Sequence, residues 1–109
     1  MSKRLFIHAA CAFMLGAVVA AQAATTMTVN QHGLLLSRSA ATISRGDKIV
    51  FTNQDDVIHN IHIFGPGDFE KDLGLQKPGM TLSYVFDKSG IVRVRCNIHP
   101  SVKMTVTVR

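Results

Sequence analysis

From Thr25 to the C-terminus, apolar and polar residues alternate with a period of two, and β-branched residues are frequent. This alternation is typical of β-strands with one buried face, because an amphipathic helix would repeat its apolar residues every three to four positions. We predict strands at residues 26–29, 34–37, 41–44, 48–53, 59–64, 81–86, 91–95 and 103–108. Turn signals rich in glycine, proline and aspartate separate most of them. The pattern therefore predicts an all-β sandwich or barrel of about seven to eight strands.

The segment at 65–79 departs from this pattern, because its residues alternate poorly. We expect it to be a surface excursion with room for a helical turn. Its apolar residues Phe69, Leu73 and Leu75 are expected to fold back onto the core.

The N-terminus has the features of a secretory signal peptide. Lys3 and Arg4 precede an apolar run at 5–21, which ends on the small-residue sequence at 21–23. We therefore predict a signal peptide at 1–23 and one exported domain at 24–109. The apolar run is short and alanine-rich, so we expect no stable insertion in the membrane.

Charge and cysteine content narrow the function of the mature chain. Removing Lys3 and Arg4 takes the 12 basic residues to 10 against 7 acidic ones, a formal charge of +3. This charge is too small and too scattered to predict nucleic-acid binding. Cys11 lies in the predicted signal peptide, so Cys96 is the one mature cysteine and cannot form an intrachain disulfide. A lone thiol in an exported protein needs a partner that protects it.

A metal ion would protect the thiol, and two histidines are placed to bind such an ion together with Cys96. Cys96 ends a predicted strand, His99 follows in the next loop, and His59 begins another strand. In a two-sheet sandwich such strand ends can meet at one pole. Two imidazoles and a thiolate in a trigonal arrangement with a weak axial ligand make a blue-copper site. Asn60 could restrain the loop that holds Cys96 by a hydrogen bond, and Pro100 would stiffen that loop.

Each residue also has a simpler interpretation. Cys96 alone could be a small buried hydrophobe, and either histidine alone could be structural.

A Cys–His nucleophilic pair would need a poised base and a third residue, and none is evident, so we predict that the protein is not an enzyme. A multicopper oxidase would flank the cysteine with histidines, whereas its neighbours here are Arg95 and Asn97. Structural zinc would recruit His62, which strand parity places on the opposite face from His59.

The predicted mature chain resembles the cupredoxins of the plastocyanin, amicyanin and pseudoazurin group, and especially the bacterial periplasmic methylamine utilization proteins, over its whole length and most clearly in four segments. They are the sequences at 45–55, 59–60, 86–92 and 96–100. The resemblance implies a Greek-key β-sandwich with one type 1 copper ion that cycles between Cu(I) and Cu(II). It also implies a periplasmic one-electron carrier whose redox partner is a cytochrome or a periplasmic oxidoreductase. We expect a monomer. Periplasmic copper buffering, delivery or tolerance is the alternative function, since it would use the same ligands.

The resemblance also implies an axial methionine, and here the spacing leaves two choices. In a plastocyanin-like loop the methionine comes eight residues after the cysteine, which is Met104. In an amicyanin-like loop it comes six residues after, which is Val102. Spacing favours Met104 as the fourth ligand. Because Met104 also belongs to the last predicted strand, a site with Val102 on the axial side and no methionine ligand stays open.

Overall fold

The structure is a computed structural model, and it describes residues 23–109. The predicted signal peptide, apart from Ala23, lies outside the described residues, and the division of the chain at residue 23 stays a prediction. Within 23–109 no helix has the length and apolar character needed to cross a membrane.

The described residues form nine strands and no helix, which confirms the all-β prediction. The strands are β1 (Thr26–His32), β2 (Leu35–Leu36), β3 (Ala40–Ile43), β4 (Lys48–Asn53), β5 (His59–Phe64), β6 (Glu70–Gln76), β7 (Thr81–Val85), β8 (Gly90–Arg95) and β9 (Lys103–Val108).

The strands are arranged in two sheets. The first has the order β2-β1-β4-β7 and the second the order β3-β9-β8-β5-β6. The pairs β1–β4 and β3–β9 are parallel, and the other pairs are antiparallel. Because β5 and β8 are antiparallel neighbours, the first residues of β5 and the last residues of β8 lie at the same end of the second sheet.

The core lies between the two sheets and follows the predicted alternation. Every second residue of β4, β8 and β9 is buried, and fully burying one such apolar side chain stabilises the fold by about 1.5–3 kcal/mol. The core cluster consists of Val29, Ile43, Ile49, Phe51, Ile61, Ile63, Phe86, Val92, Val94, Met104, Val106 and Val108.

The segment at 65–79 differs from the prediction, because it contains β6, an edge strand that pairs with β5. The pairing has an irregularity at Ile61 and His62, where Leu73 is an extra residue on β6. Gly74 follows it with a φ of 100°, a left-handed conformation that glycine adopts without steric cost. The extra residue interrupts the two-residue period, so the alternation did not reveal the strand.

The apolar side chains of this segment divide between core and surface. Leu73 packs against the core cluster, as expected. Leu75 is 61% exposed, which contradicts the expectation that it folds back onto the core. It comes after the bulge, where the alternation has been shifted by one residue, so Gln76 takes the buried position instead.

Candidate metal centre

His59 and Cys96 continue the inward-facing rows of two neighbouring strands. His59 begins β5 and shares the buried face of Ile61, while Cys96 follows β8 on the face of Val94. Both side chains are buried, because both faces point between the sheets. The start of β5 and the end of β8 lie at the same end of the second sheet, so Sγ of Cys96 lies 3.6 Å from Nδ1 of His59.

A short loop places His99 beside this pair. The amide of Cys96 donates to the carbonyl oxygen of Val102 at 2.9 Å, which closes the loop at its base. The amide of Val102 also donates to the carbonyl oxygen of His99 at 2.9 Å, which makes a four-residue turn. Pro100 is the second residue of that turn, where its fixed φ is favourable. The half-buried ring of His99 has its Nδ1 3.2 Å from Nδ1 of His59.

One ligand atom from each of His59, Cys96 and His99 lies within 4.8 Å of the others. Two imidazole nitrogens that each bind one ion at about 2.0 Å stand roughly 3 Å apart, which matches the separation of the two Nδ1 atoms. The donors are two imidazoles and one soft thiolate, the set that copper accepts in a trigonal site. The residues present therefore fit a copper ion.

Asp55 orients His59, and the sequence analysis did not identify it. Its Oδ2 lies 2.8 Å from Nε2 of His59, so the ring donates there and keeps Nδ1 for the metal side. The amides of Gly33 and Leu34 donate to the same carboxylate at 2.6 and 3.2 Å. Partial burial raises the pKa of Asp55, but the hydrogen bonds from His59 and these amides outweigh it and hold the pKa below its ordinary value.

Asn60 connects β5 to the loop that follows β8. Its Oδ1 accepts a hydrogen bond from the amide of Asn97 at 2.6 Å, and its own amide donates to Sγ of Cys96 at 3.3 Å. Its Nδ2 donates to Oδ1 of Asp72 at 3.4 Å. An amide that donates to a sulfur stabilises the thiolate form, which is the form that binds a metal.

A buried amide network joins the two sheets next to His59. Gln76 pairs with His59 in the β5–β6 ladder, and its Nε2 donates to the carbonyl oxygens of Phe51 and Met80 at 2.7 and 3.0 Å. Nε2 of Gln31, from the first sheet, donates to Oε1 of Gln76. All these amide side chains are buried, so breaking one bond leaves an unsatisfied polar group that costs about 1–3 kcal/mol.

Asn53 extends this network to the loop before β5. Its Nδ2 donates to the carbonyl oxygens of Val57 and Gln76, each at 2.8 Å, and its Oδ1 accepts from the amide of Asp55 at 2.9 Å. The loop that carries Asp55 is therefore fixed to both sheets.

The two candidates for the axial side lie at different distances from the pole, because Val102 directly precedes β9 and Met104 is the second residue of β9. Val102 is buried and hydrogen-bonded to the backbone of Cys96, so it lies level with the thiolate. Met104 pairs with Val94, two residues further from the pole, and belongs to the core cluster. With a strand rise of about 3.4 Å per residue, Met104 stands about 7 Å deeper along the strand than Val102.

His62 lies on the outer face of β5, as strand parity predicts, and outside the group of three ligands. Its ring stacks on Phe64 with the centroids 4.1 Å apart, and its Nδ1 is 2.8 Å from Nδ2 of Asn97. Its Nε2 lies 4.0 Å from the carboxylate of Glu70. These contacts hold the half-buried ring of His62 on the outer face, away from His59, Cys96 and His99.

Solved structures that resemble this one include cupredoxins. A reduced point mutant of amicyanin matches with a TM-score of 0.69 and 20% identity over 77% of this chain and 82% of that chain. A purple cupredoxin from Nitrosopumilus maritimus matches with a TM-score of 0.67 and 22% identity over 76% of this chain and 99% of that chain. The structure therefore has the cupredoxin fold, which confirms the fold that the resemblance implied.

Two curated relatives identify the family. The methylamine utilization protein MauL of Methylorubrum extorquens is 32% identical over 97 residues, 89% of this chain and 85% of that protein. The protein of the same name from Methylophilus methylotrophus is 32% identical over 65 residues, 58% of this chain and 37% of that protein. No protein-family model matches the chain. The chain belongs to the MauL family of methylamine utilization proteins.

Proposed function

We propose that this protein is a periplasmic type 1 copper protein that carries single electrons between redox proteins. The observation that carries the proposal is the convergence of His59, Cys96 and His99 at one end of a cupredoxin fold. When bound, one copper ion would supply the Cu(I)/Cu(II) couple. The names of the MauL relatives support a place in methylamine utilization.

The rigidity of the site supports electron transfer. Asp55 fixes the ring of His59, and the amide of Asn60 donates to Cys96. Two backbone hydrogen bonds hold the loop that carries His99. Ligands held in this way change position little when the charge of the ion changes, so little energy is spent on rearrangement.

The surface around His99 supports a protein partner. Exposed apolar side chains lie at this end of the fold, among them Val57 and Ile58 before β5 and Ile98 in the ligand loop. Apolar side chains grouped in this way are typical of an interaction surface. We propose a cytochrome or a periplasmic oxidoreductase as the partner.

The proposal includes removal of the signal peptide, the location of the mature domain and its oligomeric state. We propose that the segment at 1–23 is a signal peptide, that the domain at 24–109 works in the periplasm, and that it is a monomer. A carrier rather than an enzyme is supported by His59, whose Nε2 is engaged by Asp55 and whose Nδ1 faces Cys96. Neither nitrogen is left to act as a base on a substrate.

Spacing predicts Met104 as the fourth ligand, and that assignment stays a prediction. The position of Val102, which directly precedes β9 and is hydrogen-bonded to the backbone of Cys96, supports the short-loop alternative, in which His59, Cys96 and His99 would bind the ion and Val102 would cover the axial side. We propose that the site has no methionine ligand and that Met104 is a core residue.

The visible spectrum of the purified mature protein after addition of Cu(II) tests the function. We expect an intense thiolate-to-copper absorption that Cys96→Ser abolishes and that the control His62→Ala retains. A wild-type protein that binds copper without this absorption would not be a type 1 copper protein. A reversible one-electron wave in voltammetry supports the carrier, whereas weak affinity without such a wave favours copper buffering or delivery.

A further inference from the structure

A groove of about 730 Å³ lies beside the ligand loop and is lined by residues of β2, β8 and β9, including Val94 and Met104 of the core cluster. Leu35 and Leu36 line one side of it. It exists because β3 pairs with β9 only from Thr105 onward, so the first residues of β9 are left beside β2 rather than β3. A hydrogen bond of 2.9 Å from Oγ of Ser101 to the carbonyl oxygen of Leu34 joins the two sides near the ligand loop.

Three cations rim this groove, namely Arg93, Arg95 and Lys103. All three are exposed, and Arg95 stands directly opposite Lys103 in the β8–β9 ladder. The guanidinium of Arg95 lies 4.3 Å from the centroid of the Phe64 ring, so a cation–π contact holds it in place. Like charges opposite each other destabilise a sheet, which makes this arrangement costly unless an anion offsets it.

The acidic residues of this sheet face lie away from the groove. Glu70 and Asp72 stand on β6, at the far edge of the sheet beyond β5. Asp72 already accepts hydrogen bonds from the amide of Gly74 at 2.8 Å and from Asn60. The groove therefore has a cationic rim and an apolar side, of which Leu35 is 59% exposed.

We infer that this groove docks an acidic segment of the redox partner, with an apolar side chain of that segment against Leu35. The inference rests on the proposed carrier function and names the chemistry of its partner. Opposite charges would steer the two proteins together and fix their orientation. Arg95 immediately precedes Cys96 in the chain. A partner bound to Arg95 would therefore contact the residue next to a proposed copper ligand.

The test uses amide chemical shifts of the ¹⁵N-labelled mature protein, titrated with a synthetic peptide of six glutamates and two leucines. The same peptide with glutamine in place of glutamate is the matched probe. We expect shifts centred on Leu35, Arg95 and Lys103, and binding that weakens as the salt concentration rises. The glutamine peptide should not bind.

Three variants separate the groove from general charge. We expect the double variant Arg95→Gln/Lys103→Gln to weaken peptide binding about tenfold, since it removes two of the three rim charges. Arg95→Lys/Lys103→Arg keeps the charges and should retain binding within a factor of about two. Arg45→Gln, an exposed cation in the turn between β3 and β4, is the control and should also stay within about twofold.

Several outcomes would overturn the inference. They are shifts centred on Ile98 and His99, equal losses with Arg45→Gln, failure to bind the acidic peptide, or preferential binding to vesicles that contain an anionic phospholipid. The titration uses the metal-free protein and gives its result whether or not the copper spectrum appears. A protein without the blue absorption that still binds the peptide would refute the carrier function while retaining the docking groove.

Discussion

Replacing Met104 by leucine distinguishes a copper ligand from a core residue. Met104 is 3% exposed, pairs with Val94 and belongs to the core cluster. Leucine has a similar volume, so the exchange should cost less than about 1.5 kcal/mol of the free energy of unfolding. The reduction potential and the visible spectrum of the copper protein should stay unchanged, because the side chain lies one layer below the ligands.

The size of the packing effect can be set against the stability of the whole domain. A domain of roughly 90 residues has a free energy of unfolding of about 4–13 kcal/mol, and 1 kcal/mol shifts Tm by about 4–8 °C. Met104→Ala should cost about 2–5 kcal/mol because it leaves a cavity, which would lower Tm by about 8 °C or more at this scale. Thermal unfolding of the two variants, followed by circular dichroism, measures both effects.

Val102→Met is the complementary change. It puts a thioether level with Cys96 and should lower the reduction potential, because a fourth donor favours Cu(II). The larger side chain should also cost about 1–3 kcal/mol by overpacking, since Val102 is fully buried. Voltammetry of the wild type and both variants decides the matter. A potential that rises in Met104→Leu and stays constant in Val102→Met would refute the short-loop site and establish Met104 as the ligand.

Three further changes test the rest of the site and the fold. We expect His59→Ala to weaken copper binding far more than the surface control His62→Ala in a copper titration, and equal losses would bring His62 among the ligands. Asp55→Asn should weaken copper binding by about 10–100-fold, because the ring of His59 loses its carboxylate partner, and an unchanged affinity would contradict the positioning role. Backbone hydrogen bonds from Thr25 and Ser44 lower the pKa of Asp47 from 3.8, so Asp47 stabilises the fold above that pH and less as the pH falls through its lowered pKa. Urea unfolding should therefore find Asp47→Asn less stable than wild type at pH 7, with a difference that shrinks as the pH falls below 3.8, and a pH-independent difference would contradict the linkage.

The strands with unbroken alternation were predictable from the sequence because one face of each is buried. β4, β5 and β9 have the predicted bounds, and β8 begins one residue earlier than predicted, at Gly90. β6 was not predictable, because the extra residue at Leu73 shifts the alternation halfway along the strand. The convergence of His59 and Cys96 was predictable because each stands at the end of an alternating run.

The residues that the sequence did not reveal act through loop conformation. Asp55 reaches His59 because the loop after β4 turns back, and that turn depends on Asn53, whose side chain is bonded to Val57 and Gln76. A buried asparagine and glutamine pair across two sheets leaves no periodic signal in either strand. The same limit applies to the axial side, since spacing alone allowed both Val102 and Met104.

The position of Asp55 makes the proposed metal centre depend on the contact between the two sheets. Its carboxylate accepts hydrogen bonds from the backbone amides of Gly33 and Leu34, in the turn that joins β1 to β2 of the first sheet. The same carboxylate holds His59, in the second sheet. A metal ion bound between His59 and Cys96 would therefore stabilise the docking of the sheets as well as the ligand loop. Since binding to the folded state alone adds RT ln(1 + [L]/Kd) to stability, copper should raise Tm more in the wild type than in Asp55→Asn at equal concentration.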